Sequence, residues 1–159
     1  MFYSQDAPNA SILDSIDFYL INSKNSSIEY NTKLGYAFKA QSLAQIHGID
    51  SLLVKSYINI ATLYAEENKS SLFINYSHKA LSLAKRNNDL KYSALANKNL
   101  GYYYFDKMVD SAYYYNARAE KLYRNLNDNF NTAVVLLDIA GLQFNDKDYT
   151  GSELTCNNG

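Results

Sequence analysis

Apolar residues recur along this chain at helical intervals, and the recurrence itself repeats. Between Asp89 and Asp106, the residues Leu90, Leu95, Leu100 and Tyr104 fall mostly on one broad helical face. Between Ser111 and Asn125, the residues Ala112, Tyr115, Ala119 and Leu122 are spaced by threes and fours, the interval that stacks side chains on one side of a helix. One segment misleads when taken alone. Ala133-Val134-Val135-Leu136-Leu137 is an unbroken apolar run of the kind a buried strand shows. Its alignment with 53–57 and 93–97 assigns it to a helix.

The alignment extends through three units. Asn59-Ile60-Ala61-Thr62-Leu63-Tyr64, Asn99-Leu100-Gly101-Tyr102-Tyr103-Tyr104 and Asp138-Ile139-Ala140-Gly141-Leu142-Gln143 follow one another at 40 and then 39 residues. A second set, out of phase with the first, runs Lys39-Ala40, Lys79-Ala80 and Arg118-Ala119 at the same two spacings. Asp50, Asp89 and Asp128 recur every 39 residues and are read as opening each unit, where a side-chain oxygen can cap an orphan amide. Asn68-Lys69, Asp106-Lys107 and Asp146-Lys147 supply short polar turns inside the units. Each unit therefore holds two helices.

Small residues mark where those helices meet. Ala61, Gly101 and Ala140 lie in first helices, and Ala40, Ala80 and Ala119 in second helices. Two helices approach closely only where side chains are small. Glycine inside a helix costs about 1 kcal/mol against alanine, so Gly101 requires a packing reason. The expected organisation is a terminal segment at 1–8, an atypical helix pair at 9–49, units at 50–88 and 89–127, an incomplete unit at 128–154 and a tail at 155–159.

At these positions the chain resembles tetratricopeptide repeats. Leu100-Gly101-x-x-Tyr104 matches the first-helix signature, with Ala112 and Ala119 following in the second helix. Ile60-Ala61-x-x-Tyr64 with Ala80 is a softer match, and Ile139-Ala140 with Tyr149 and Ser152 a partial one. Tyr57, Asn97 and Leu136 stand where the signature has tryptophan, and no proline closes a unit. The period exceeds the usual one of about 34 residues. In this it is similar to the long-helix variants of kinesin light chains and of bacterial peptide-sensing regulators. The abundance of Asn, Lys, Ser and Tyr is similar to sensor regions of Bacteroidetes-type signalling proteins, in which such repeats precede a histidine-kinase or DNA-binding module. The resemblance implies an all-α fold, a right-handed solenoid of antiparallel helix pairs with about seven helices.

Composition narrows the functions. Apolar residues make up 47% and charged residues 19%, a globular balance. A net charge of −1 argues against a nucleic-acid partner held through phosphates. No apolar run approaches the roughly 20 residues that span a bilayer. A single cysteine, Cys156, excludes an intramolecular disulfide and a thiolate metal cluster. Met1-Phe2-Tyr3-Ser4-Gln5 is read either as the tail of a removed export signal, which implies a periplasmic or exported protein, or as an ordinary frayed terminus, which leaves it cytoplasmic.

Catalytic chemistry finds little support. His47 and His78 have no metal-ligand partner at helical spacing; His47, before Gly48, suits a helix end, and His78 a solvated face. No nucleophile motif or phosphate-cradling glycine loop is present. Glu66-Glu67 and Asp146-Lys147-Asp148 suit solvated turns better than an acid–base pair. No catalytic residue, metal or cofactor is expected.

Recognition of a protein or peptide is the expected function, with the first helices lining the concave side as the resemblance implies. The candidate contact residues are Lys55, Asn59 and Thr62 from the second unit, Lys98, Asn99, Tyr102 and Phe105 from the third, and Asp138, Gly141 and Phe144 from the fourth. The resemblance implies that Asn59, Asn99 and Asp138 hold a ligand's backbone amide; a bond across to the neighbouring unit is the other reading. Tyr102 and Phe105 fit either packing between units or an exposed aromatic face, whereas Tyr103 and Tyr104 align with the core-like Leu63 and Tyr64. The competing function is self-association as a homodimer, because the fourth first helix has only the beginning of a partner helix and leaves an apolar seam.

Overall fold

The computed structural model describes residues 10–145 and 154–157, and among them every regular element is helical. The helices are α1 (Ala10–Asn22), α2 (Tyr30–Ile46), α3 (Asp50–Glu66), α4 (Ser70–Arg86), α5 (Leu90–Tyr104), α6 (Val109–Asn125) and α7 (Asn129–Asn145). One further helical turn covers 154–157. Each helix packs on the next, from α1 on α2 to α6 on α7. In addition α1 touches α3 and α3 touches α5, while no comparable contact joins α2 to α4 or α4 to α6. The first helices of successive pairs thus sit closer together than the second helices. The result is an all-α helical-repeat solenoid whose inner side is lined by α1, α3 and α5. The first pair is atypical: α1 has 13 residues against 17 in α2, α3, α4, α6 and α7.

The turns explain why the units repeat so regularly. Gly48, Asn68, Asn88 and Asn127 all take positive φ, from 53° to 63°. The residue after each donates its amide back to the helix just ended: Ile49 to the Ala44 carbonyl, Lys69 to Tyr64, Asp89 to Ala84 and Asp128 to Tyr123, at 2.8–3.0 Å. This is the left-handed helix stop that satisfies orphan carbonyls and reverses the chain in very few residues. Glycine and asparagine tolerate that conformation best. The turn after α5 closes differently, with both Lys107 and Met108 amides donating to the Tyr104 carbonyl, and α5 is two residues shorter than its neighbours. The turn expected at Asp146-Lys147 lies outside the described residues, as do 1–8 and the matches at Tyr149 and Ser152.

The aspartates need one correction. Asp89 caps α5 by accepting from the Tyr92 amide at 3.0 Å, and Asp128 caps α7 by accepting from Asn131 at 3.1 Å. Asp50 is not in their register. It is the first residue of α3, Ile49 holds the capping position without a side-chain bond, and Asp50 pairs with Arg86 at 3.0 Å. The structural phase is therefore Ile49, Asp89 and Asp128 at 40 and 39 residues, in step with the other two marks.

All six small residues are buried at helix contacts: Ala40, Ala61, Ala80, Ala119 and Ala140, and Gly101. Ile16, Val54, Ile60, Leu100, Val135 and Leu142 fill the spaces beside them. A Cβ added to Gly101 would lie 2.6 Å from the Asn116 Cγ of α6, so glycine there makes room for a buried side chain of the partner helix. The equivalent positions one unit earlier hold Ala61 and Ser77, both buried. Bulk gained on one helix is removed from the other.

Two expectations follow. Gly101→Leu should lower unfolding stability by about 3 kcal/mol or more, because the overpacked contact is rigid. Gly101→Ala with Asn116→Ser rebuilds the second unit's pair and should recover most of what Gly101→Ala alone loses; urea titration of the three variants measures both. The second expectation concerns alkali. Tyr123 is 3% exposed among Ala94, Ala119, Val135 and Ile139, and burial, with the Asp128 charge adding to it, pushes its phenol up to about 12. Its phenol in the unfolded chain ionises near 10. Below that pH the phenol is neutral in both states. Above it the unfolded state ionises first, so stability falls from about pH 10 to 12, by roughly 2 kcal/mol from this group. Tyr123→Phe should flatten that part of the alkaline denaturation curve.

Candidate functional site

Two cavities hold four of the ten residues expected to meet a partner. The first, of about 350 Å³, opens on the inner side between the end of α1, α3 and α5, and is lined by Ser23, Lys24, Ile58, Asn59, Thr62, Leu63, Glu66 and Leu95. Burial holds the Lys24 ammonium below its ordinary range, and the charges of Lys55 and Lys91 press it further in the same direction. Ile58, Leu63 and Leu95 give it apolar walls, and Lys24 and Glu66 bring one charge of each sign to it. Asn59, however, is buried, and its amide donates to Ser23 Oγ at 2.9 Å and to the Leu20 carbonyl at 3.4 Å. It ties α3 to the end of α1, the bond to a neighbouring unit that the sequence left open. Thr62 is exposed and donates to the Ile58 carbonyl of its own helix.

The second cavity, about 210 Å³, lies where the turn after α3 meets the end of α5. Tyr102 and Phe105 line it with Phe73, Tyr103 and Lys107. Tyr102 is 72% exposed and meets Phe73 edge-on at 6.4 Å. Tyr103 and Tyr104 turn inward, Tyr103 onto Phe73 and Tyr104 stacked on Tyr115 at 5.7 Å. The tyrosine triplet is thus split as helical geometry requires, since three consecutive residues sweep about 200°.

The remaining candidates sit further along the same side. Lys98 is half-buried and donates to Asn131 Oδ1 at 3.3 Å, joining α5 to α7. The Asn99 amide nitrogen is buried with no hydrogen-bond partner among the described residues. Phe105 fills the space over Gly141, where an added Cβ would lie 3.2 Å from its ring; both belong to the contact between the third and fourth units. Phe144 is exposed. Asn59 and Thr62 therefore share one cavity and Tyr102 and Phe105 another, with Gly141 packed against Phe105, so the candidates do not form one pocket.

The histidines and acids fall where solvated or capping roles put them. His47 closes α2 as its C-cap, and His78 is exposed, edge-on to Tyr115. Glu66 pairs with Lys33 at 3.0 Å and Glu67 ends α3. Cys156 is exposed. No helix among the described residues is long and apolar enough to cross a membrane.

A third cavity, the largest of the three at about 410 Å³, was not expected from the residue pattern. It lies between the end of α4, the start of α5 and the end of α6. Lys85 of α4 and Arg118 and Lys121 of α6 line it with Leu90 and Leu122, and the buried Asn97 lies at its floor. The signal that marks it in sequence is Asn97 itself, a small polar residue where the units on either side carry Tyr57 and Leu136.

Asp138 gives the inner side a measurable handle. Burial raises its carboxyl above the ordinary range, and Lys98 partly offsets this. Lys98→Met should therefore raise the Asp138 pKa further, read by carboxyl carbon NMR across an acid titration. A carboxyl raised on folding favours the folded state at acid pH and loses that contribution as pH rises through its folded value. Among known proteins, no family model matches this chain and no curated protein matches it.

Proposed function

We propose that this chain is a protein- or peptide-binding helical-repeat scaffold. The observation that carries the reading is the inner side: first helices from successive pairs contact one another and hold a cavity of about 350 Å³ whose lining mixes apolar side chains with Lys24 and Glu66. Extended concave faces of this kind suit peptides, whose backbones need hydrogen-bond partners at regular intervals and whose side chains need shallow pockets. Tyr102, a large amphipathic ring held out from a rigid helix, has the character of a binding anchor. The resemblance to tetratricopeptide sensor regions extends the proposal to the input part of a bacterial signalling protein, a histidine kinase or transcription regulator.

The test uses residues that the fold does not need. Lys55→Ala with Tyr102→Ala should weaken binding of a purified partner by at least about tenfold, the scale of an anchor residue, with the melting temperature nearly unchanged. Asn59→Ala should do the opposite: it removes bonds to Ser23 and Leu20 and should cost about 1–2 kcal/mol of stability. Unchanged affinity in a folded Lys55/Tyr102 double variant, measured by calorimetry, removes the inner side from consideration.

A second reading has its own observation. Phe130 and Leu137 of α7 are 76% and 63% exposed, and Phe144 continues the same stripe at intervals of seven. Asp138 is the sole ionisable residue in that helix, so no repulsion opposes a second copy. If the stripe pairs two chains, light scattering should give twice the 18.1 kDa chain mass, and Leu137→Glu should return it to one.

A further inference from the structure

Comparing the units position by position shows that the third is built differently around the cavity between α4, α5 and α6. In the second unit Tyr57 occupies the position of Asn97, half-buried with its ring tilted on Tyr76 at 5.9 Å. In the fourth, Leu136 occupies it and is buried. Asn97 is shorter than either and 1% exposed, so it lies at the bottom and leaves the space above it open. Its amide nitrogen donates to the Ser93 carbonyl at 2.7 Å, and its Oδ1 has no hydrogen-bond partner among the described residues. A buried acceptor left without a donor is destabilising by itself, and a packed protein closes such hollows where nothing else selects against it.

Charge changes at the same place. One unit earlier, the positions of Lys85 on α4 and Lys121 on α6 are held by Gln45 on α2 and Ser82 on α4, and Arg118 replaces Lys79. The position of Leu90 holds Asp50 in the second unit, where it pairs with Arg86. The hollow thus gains two cations, while the Asp50–Arg86 pair one unit earlier gives way to Leu90 and Asn125 and Asp89 stands in place of Ile49, in a chain whose net charge is −1. Among the described residues, no carboxylate lines the cavity. Asp89, between Asn88 and Leu90, is engaged with the Tyr92 amide. Arg118 is already held over the Tyr114 ring, its guanidinium carbon 4.5 Å from the centroid.

We propose that this hollow is a second binding site, which takes an aromatic side chain flanked by carboxylates on a partner peptide. The ring enters where the Tyr57 ring lies one unit earlier, against Leu90 and Leu122. A tyrosine hydroxyl that reaches the floor donates to Asn97 Oδ1. The flanking carboxylates pair with Lys85 on α4 and with Arg118 and Lys121 on α6, cations that match an anion and not a cation. The site rests on the peptide-binding reading for the source of its ligand, but shares no residue with the inner cavity, so the two can fail separately.

The second unit supplies the test variants. The probe is a fluorescently labelled peptide with one tyrosine between pairs of glutamates, followed by anisotropy on the full chain. Saturable binding that weakens as salt rises is expected. Asn97→Tyr, which fills the hollow with the chain's own ring, should weaken it by at least about tenfold, as should Lys85→Gln with Lys121→Ser. Binding lost with Lys55→Ala and Tyr102→Ala but kept by both cavity variants would move the peptide to the inner side and overturn the proposal. The same peptide with alanine for tyrosine, or with lysines for glutamates, should bind at least about tenfold more weakly. No saturation at about 1 mM peptide, or equal affinity in both cavity variants, overturns the proposal. So does equally tight binding of free 4-hydroxyphenylacetate, which would make the ligand a small aromatic acid. If Asn97→Tyr lost its helical dichroism, the lysine pair would still decide.

Discussion

The close approach of paired helices at small residues is the constraint on which the other features depend. Ala40, Ala61, Ala80, Gly101, Ala119 and Ala140 remove side-chain bulk where helices meet, and the buried Ile60, Leu100 and Val135 fill the interior beside them. Because the contact is made by absence of bulk, it must be matched across both helices. Gly101 against Asn116 and Ala61 with Ser77 are two settings of one joint. A change on one side forces a change on the other, which is why a mid-helix glycine persists despite its helix propensity.

That joint sets distances between helices, and the turns set their phase. The left-handed residues Gly48, Asn68, Asn88 and Asn127 end their helices by the same amide-to-carbonyl closure. A fixed closure rotates the next helix by a fixed amount, so equivalent positions recur on equivalent faces. First helices then meet first helices, and the inner side follows without any residue being selected for curvature. The turn after α5 breaks this uniformity, and aromatic residues gather there: Phe73, Tyr102, Tyr103 and Phe105 line one opening.

Against so regular a background, departures from the repeat stand out. Asn97 in place of a bulky residue opens a hollow; Lys85 and Lys121 in place of neutral residues charge its rim. Asn59 and Asn99 occupy the same repeat position, yet Asn59 is consumed by α1 while the amide nitrogen of Asn99 is left without a hydrogen-bond partner among the described residues. Identity of sequence between units is therefore no guide to identity of role, because each unit has a different neighbour. The short α1 ends at Ser23, within reach of Asn59; the pair that follows offers no such end to Asn99.

What the sequence determined by itself was everything that repeats. Helix class, the 40- and 39-residue units, the six small contact residues and the inward turn of Tyr103 and Tyr104 all follow from periodicity, since a side chain's face on a helix is fixed by its number. The misphased Asp50 shows the limit of that logic. One residue's shift is invisible where three aspartates are evenly spaced, and only the capping bonds of Asp89 and Asp128 expose it. The tertiary structure alone decided which polar groups are already satisfied and which spaces stay open. Asn59 bonds to a residue 36 positions away, and the hollow above Asn97 is bounded by three helices. Such facts depend on contacts between distant segments, and periodicity carries information only about a residue's own helix.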